Sequence, residues 1–427
     1  MSVDSRGNAQ TRSFTADSPA ARAALIAAAV VVVLLSYFPL KWGFAATAAS
    51  RADHLEVARF LVSTAPDDPQ THFRLAALLE KSFVPTHVDE SLREYERAVA
   101  LAPENYLLWQ QLGQARERAG DEGAEAAFRR AHALAPNYAQ VRWSLGNYLV
   151  RQKRFEEGFA EILTAVAADP KFVDPAVNTA WLILGGDLPA VKQALGEAPE
   201  VGLALVGVLV REGKFDEAVG IWNSLPKTDP QKFQIIGVDL ATKLAAAGRF
   251  RDAVRVGSDI AGEGFSVGQV TNSGFESPLR LQNAGIFDWK LTPGSQTQIA
   301  PTNGQKHAGS NSLALIFNAA ADAGFPQIAQ TVAVEPQRRY ELESYYRSNL
   351  KTSAEIKLAI IEAGTDRVLA QTSPAALQSE WAPWNARFAV PAGVDGVTIK
   401  LSIENCVTGC TVSGTLWLDD LVLKPVN

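Results

Sequence analysis

The chain has 427 residues, of which 47% are apolar and 20% are charged, and its formal net charge at pH 7 is −6. This length predicts two to four domains, and the composition is that of a globular chain. The small negative charge, without a long run of lysine or arginine, argues against nucleic acid as a partner. With two cysteines in total, the chain has neither a cysteine framework nor the paired set of a structural zinc site.

The first element in chain order is an apolar stretch, residues 23–40, which contains no charged side chain. A helix needs about 20 residues to cross a hydrocarbon core of ~30 Å, so we predict a transmembrane helix over residues 23–42. Arginines in the preceding segment, residues 1–22, favour a cytoplasmic N-terminus, with the remainder of the chain exported to the periplasm. A cleaved secretory signal is the alternative, because Ala46-Thr47-Ala48 is similar to a cleavage site.

A short motif then recurs at nearly constant spacing. Its copies end in Ala98-Val-Ala-Leu-Ala-Pro103, Ala131-His-Ala-Leu-Ala-Pro136 and Ala165-Val-Ala-Ala-Asp-Pro170, so successive prolines are 33 and 34 residues apart. Gly113 and Gly146 occupy equivalent positions in two copies. Small residues at such positions let paired helices approach closely, so we predict tightly packed helical hairpins.

This motif resembles the tetratricopeptide repeat, a helix–turn–helix unit of about 34 residues. Weaker copies at Gly213-Lys-Phe-Asp-Glu-Ala218 and Gly248-Arg-Phe-Arg-Asp-Ala253 extend the resemblance over residues 45–262. The resemblance implies an α-solenoid whose stacked hairpins present a concave surface to a protein partner.

From residue 263 the amino-acid composition changes: alanine and leucine become less frequent, and glycine, serine, asparagine and threonine become more frequent. In Val397-Thr-Ile-Lys-Leu-Ser-Ile403, apolar and polar residues alternate, which predicts a strand with one buried and one solvent-exposed face. The strand-length runs are residues 312–317, 327–334, 339–347, 355–361, 386–390, 397–403 and 415–423. We therefore predict a two-sheet β-sandwich over residues 263–427.

Four segments of this domain resemble the jelly-roll, galactose-binding-like carbohydrate-binding modules that accompany polysaccharide-degrading enzymes. They are Asn272-Ser-Gly-Phe-Glu276, His307-Ala-Gly-Ser-Asn-Ser-Leu313, residues 330–342 and residues 414–423. The resemblance spans nearly the whole domain in the same order, and it implies a jelly-roll scaffold together with an expectation of glycan binding.

The same resemblance implies a structural calcium ion near the paired ends of the first and last strands. The matching carboxylates are those of Glu276 and Asp420, with backbone carbonyls near Ser310 as further oxygen ligands. The alternative is that Asp420 only caps the end of a strand.

A sugar site needs exposed aromatic faces that stack on the C–H groups of the sugar ring. Tyr345 alternates with polar residues on the presumed wet face of its strand, and Trp381 and Trp384 lie close to a turn. These three residues are the candidate glycan contacts. The alternative is that they fill the core of the sandwich, as aromatic residues usually do.

Two pairs of residues near the C-terminus invite a chemical interpretation. Cys406 and Cys410 lie in one loop-like stretch, and a small disulfide is their simplest use outside the cytoplasm. Strand alternation places Asp419 and Asp420 on opposite faces, so they cannot flank one glycosidic bond. We identify no catalytic residues and expect no enzymatic activity.

The sequence as a whole predicts a single-pass inner-membrane protein with most of its chain in the periplasm. We expect an adaptor that binds a protein through its repeats and a glycan through its sandwich, in the synthesis or export of a cell-surface polysaccharide. The alternatives are a protein–protein scaffold without sugar binding and, from another class, a glycan-active enzyme.

Overall fold

The computed structural model describes residues 19–82, 84–226, 230–261, 265–280, 282–320, 325–405 and 411–426. The chain divides into two compact units, Met1–Leu195 and Gly196–Asn427. In its described residues the first consists of helices joined by short turns, whereas the second combines helices with two antiparallel sheets. The predicted fold class, helical hairpins followed by a β-sandwich, is confirmed. The division between the units lies within the predicted repeat segment, and the helices continue to Ala261.

The first helix, α1 (Pro19–Arg51), contains the apolar stretch. Its segment Pro19–Tyr37 has a mean hydropathy of 2.2 and is not buried by the protein, and it is the one segment of the described residues that is long and apolar enough to cross a membrane. Nine further α-helices and one short 3₁₀ helix, Pro170–Phe172, follow in the described part of the first unit. The α-helices are α2 (Leu55–Thr64), α3 (Pro69–Lys81), α4 (His87–Leu101), α5 (Tyr106–Ala119), α6 (Ala124–Leu134), α7 (Ala139–Arg151), α8 (Phe155–Ala168), α9 (Val173–Ile183) and α10 (Leu188–Leu195).

Helices α3 to α8 pack as antiparallel hairpins, and α7 and α8 show why glycine recurs at the crossing. A methyl group on Gly146 would lie 2.8 Å from the carbonyl oxygen of Gly158 and 2.8 Å from Cγ1 of Ile162. The two backbones are therefore in direct contact. Gly113 occupies the equivalent position in the preceding hairpin, where an added methyl group would lie 2.9 Å from the ring of Phe128.

The second unit begins with four helices, α11 (Pro199–Arg211), α12 (Phe215–Ser224), α13 (Pro230–Ala246) and α14 (Phe250–Ala261). Its eleven described strands follow. They are β1 (Lys290–Thr292), β2 (Thr297–Thr302), β3 (Ser312–Ala320), β4 (Gln327–Ala333), β5 (Arg339–Ser348), β6 (Glu355–Glu362), β7 (Val368–Gln371), β8 (Gln378–Pro383), β9 (Ala386–Ala389), β10 (Gly396–Glu404) and β11 (Val412–Val426).

The strands form two antiparallel sheets. One has the order β1-β4-β10-β6-β7, and the other has the order β2-β3-β11-β5-β8, with β9 also pairing with β5. Alternation along β5 shows how each sheet is half buried, since Leu342, Ser344 and Tyr346 face the core while Tyr345 and Arg347 are partly exposed. The inner faces of both sheets contribute to one apolar core.

Helix α14 is packed directly against the sandwich. A methyl group on Gly396, at the start of β10, would lie 2.4 Å from the ring of Phe250. The ring therefore packs directly against the backbone of Gly396. The neighbouring Arg251 forms an ion pair with Asp395, and the backbone N–H of Arg251 donates to the same carboxylate at 3.0 Å. The last helical hairpin and the sandwich therefore belong to one folded unit.

Candidate functional site

The first unit carries a groove along the first helix of successive hairpins. Its larger part, about 870 Å³, is bounded by α3, α5 and the start of α4, and its apolar lining includes Phe73, Val88 and Leu92. A second part, about 660 Å³, lies between α5 and α7. Gln114 and Arg118 line both parts, so the two are adjacent.

The groove changes from apolar to polar along its length. In the part between α5 and α7, the lining includes the amide side chains of Gln140 and Asn147 and the half-buried Trp143. In the apolar part, the Tyr95 hydroxyl donates to Glu80 at 3.1 Å. Burial, and then Glu80, raise the pKa of Tyr95 far above its usual value, so the hydroxyl stays protonated. Such a surface can take apolar side chains at one end and bond a peptide backbone at the other.

The second unit has a different feature, an aromatic cluster on the outer face of the six-stranded sheet. The imidazole of His307 stacks on the ring of Tyr345, with ring centres 3.7 Å apart and planes 12° apart. Trp381 meets the same imidazole edge-on at 5.9 Å. Two of the three predicted glycan contacts therefore lie together. The imidazole of His307 covers one face of the Tyr345 ring. That face cannot stack on a sugar, and the imidazole takes its place as the outer surface of the cluster.

Trp384 is the exception among these candidates. It is fully buried, it packs on Tyr346 with ring centres 5.0 Å apart, and its indole N–H donates to the carbonyl of Ser373 at 2.7 Å. Trp384 lies three positions after Trp381, and side chains alternate along extended backbone, so this odd offset points the two to opposite faces. The expectation that Trp384 is exposed to a sugar is thus corrected.

The loop that carries His307 is held by carboxylates. Asp419 accepts from the backbone N–H of His307 at 2.8 Å and of Ala308 at 3.3 Å, while Asp420 pairs with Nδ1 of His307 at 2.6 Å. Glu276 accepts from the N–H groups of two further loop residues, at 2.7 and 3.1 Å. The loop, and with it the imidazole, is therefore positioned before any ligand arrives.

The prediction that Asp419 and Asp420 lie on opposite faces is wrong. The register of β11 against β5 shifts after Asp419, and Asp420 has a φ of 50°, so the strand contains a bulge. Both carboxylates consequently reach the His307 loop. Burial raises the pKa of the Asp419 carboxyl above its usual range, whereas backbone N–H donors lower that of Glu276.

The predicted calcium ligands also come together. A methyl group on Gly274 would lie 3.5 Å from Oδ1 of Asp420, 3.6 Å from Oδ1 of Asp419 and 3.8 Å from Cγ of Glu276. Three acidic side chains therefore lie close to Gly274. In the described residues, however, no group of three His, Cys, Asp or Glu side chains has the arrangement of a metal site, and several of these oxygens accept N–H bonds.

Two residues of this face were not singled out from the sequence. His307 lies in the His307–Leu313 motif, where it serves as part of a scaffold signature, and only the fold brings it against Tyr345. Trp417 is partly exposed and pairs across the sheet with Arg347. Strict alternation between the buried Leu416 and Leu418 is the signal that predicts its outward direction. The predicted disulfide of Cys406 and Cys410 lies outside the described residues.

No family model and no curated protein matches this chain. Solved structures with similar folds include one reported as "CBM4 structure and function", which is 12% identical over 37% of this chain and 100% of that one, with a TM-score of 0.29. TmCBM61 in complex with β-1,4-galactotriose is 15% identical over 38% and 100%, with a TM-score of 0.27. YrrB, a TPR protein with an unusual peptide-binding site, is 15% identical over 48% and 93%, with a TM-score of 0.27.

Proposed function

We propose that the chain is a membrane-anchored periplasmic adaptor that binds a protein partner in its helical groove and a glycan on its sandwich. The process it serves is the synthesis or export of a cell-surface polysaccharide. The observation that carries the glycan part is the cluster of His307, Tyr345 and Trp381, held on an outer sheet face by a pre-formed loop.

Sugar recognition at this cluster needs both apolar and polar contacts. The half-buried Trp381 and the outer face of the His307 ring supply surfaces for sugar C–H groups. Arg347, whose guanidinium donates to Gln305 at 2.6 Å, and Trp417 across the sheet extend the same face. A flat outer face of this kind suits a chain of sugars rather than a single buried one.

Affinity electrophoresis of the full chain through gels that contain soluble polysaccharides tests this proposal. The detergent must lack a sugar headgroup. We expect at least one polysaccharide to retard the wild-type chain, and Trp381→Ala and His307→Ala to migrate as if no polysaccharide were present. Val368→Ala, on an exposed position of the other sheet, is the matched control and should be retarded like the wild type. If no polysaccharide retards the wild type, the glycan part fails, and capture of a membrane protein by the same chain would then establish the protein–protein scaffold.

The partner part is tested at the junction of the groove. Gln114→Glu adds a charge where the two parts of the groove meet, and it should abolish capture of proteins that the wild-type chain retains from solubilised membranes. Glu156→Gln, outside the groove, is the control. Equal capture by both variants would place the partner elsewhere.

The proposal includes no catalysis and a structural role for calcium. Wild-type chain incubated with any polysaccharide it binds should release no reducing ends, and their release would establish the enzyme alternative.

If Glu276 and Asp420 hold Ca²⁺, the ion would replace N–H donors at the loop and fix it more firmly. Calcium should then raise the melting temperature of the wild type and not of Glu276→Gln, and an unchanged wild type would exclude the site.

A further inference from the structure

The apolar span and the first packed helix of the first unit are one continuous helix. Beyond Tyr37, where the apolar segment ends, α1 continues to Arg51. At 1.5 Å per residue this extension adds about 20 Å to a span that itself covers ~28 Å, close to the thickness of a bilayer core. The described backbone therefore contains no linker between the span and the hairpins.

The extension is part of the folded unit. Ala45 and Ala49 are buried to within 1% of full burial, and Ala49 forms a small apolar cluster with Ala52 and Leu61 of α2. The spacing of four residues between Ala45 and Ala49 places both on one side of the helix. Phe44 lies on the other side and is 65% exposed.

A polar contact fixes the end of this helix. The guanidinium Nε of Arg74, on α3, donates to the carbonyl of Ala52 at 2.6 Å, directly after the last residue of α1. Arg74 also bonds Asp53 at 3.0 Å. The connection from α1 to α2 is thus attached to α3 as well as to its own neighbours.

We infer that α1 is retained whole and acts at once as the membrane anchor and as the first helix of the solenoid, so that the bilayer holds the first hairpins at a fixed distance. The inference rests on the proposed membrane location. Cleavage after Ala48 would remove Ala45 from its packing and leave Ala49 and Ala52 on a short stub.

The first test is the identity of the mature N-terminus. The full chain with a C-terminal tag is produced in bacteria and separated into membrane and soluble fractions, and its intact mass and N-terminal sequence are measured. We expect a membrane-bound chain that resists carbonate extraction and still contains α1. A soluble chain beginning at Ala49 would overturn the inference. Because no ligand is involved, this result is independent of glycan or partner binding.

The second test concerns packing, since an anchor can be retained without it. Ala49→Leu should overfill the contact with α2 and speed tryptic cleavage after Arg51 several-fold. Thr47→Leu is the control, because Thr47 is exposed on the same helix. Equal cleavage rates for Ala49→Leu and Thr47→Leu would show that α1 is only a tether, with no structural role in the hairpins.

Discussion

Replacing Gly146 with alanine tests how closely the helical hairpins pack. The new methyl group would meet the carbonyl oxygen of Gly158 and the side chain of Ile162, each at 2.8 Å. The carbonyl belongs to the backbone and cannot rotate away, so α7 and α8 must separate. Overpacking of this kind costs about 1–3 kcal/mol.

The helix propensity of alanine opposes this cost. Alanine stabilises a helix interior by about 1 kcal/mol relative to glycine. Because the clash is with backbone, which cannot move aside, the overpacking cost lies in the upper part of that range, at about 2–3 kcal/mol. The net effect of Gly146→Ala is therefore a loss of about 1–2 kcal/mol. Gly113→Ala meets a phenylalanine ring rather than backbone and should lose less, whereas Gly43→Ala has no atom within 4 Å and should lose nothing.

Hydrogen exchange measured by mass spectrometry on the full chain resolves these effects to individual helices. Gly146→Ala should speed exchange of the α7 and α8 amides about 5- to 30-fold, corresponding to a local loss of 1–2 kcal/mol. Gly43→Ala should leave these amides unchanged. Protection in Gly146→Ala equal to that in Gly43→Ala would refute the close backbone contact.

Three further predictions concern the second unit. Gly396→Val should release α14 from the sandwich, because the space is filled by Phe250, and should speed hydrogen exchange of the α14 amides without loss of sheet content in circular dichroism. Trp384→Ala should cost about 3–5 kcal/mol of unfolding free energy in urea titrations, as expected for a fully buried aromatic side chain. The pKa of Glu276 is lowered in the fold, so its stabilisation is present above the ordinary value of 4.5 and is lost as the pH falls through the lower folded pKa. Melting temperatures between pH 6 and pH 3 should therefore fall more steeply for the wild type than for Glu276→Gln.

The regular parts of the fold could be predicted because their signals are local. The 33- and 34-residue spacing of the prolines reflects one hairpin per repeat, and the glycines at the crossing mark backbone contact. The alternation in residues 397–403 corresponds to β10, whose inner residues Val397 and Ile399 are fully buried. Periodicity is sufficient to predict an element and its buried face wherever each residue of that element faces either the core or the solvent.

The candidate site could be predicted only in part, because it depends on departures from periodicity. Alternation alone separates Asp419 from Asp420, whereas the bulge at a positive φ brings both carboxylates to one loop. The stacking of His307 on Tyr345 brings together residues that are distant in sequence, so no local sequence pattern predicts it. The docking of Phe250 on Gly396 escaped prediction for the same reason.

Titration calorimetry with a polysaccharide measures whether the outer face of the sandwich binds glycan. The wild-type chain, Val368→Ala and the double variant His307→Ala, Trp381→Ala are titrated with the polysaccharide that retards the wild type most strongly. We expect equal affinity for the wild type and Val368→Ala, and at least about tenfold weaker binding by the double variant, as for a contact worth ~1.4 kcal/mol or more. Undiminished binding by the double variant would contradict the assignment of the glycan site to the face that carries His307, Tyr345 and Trp381.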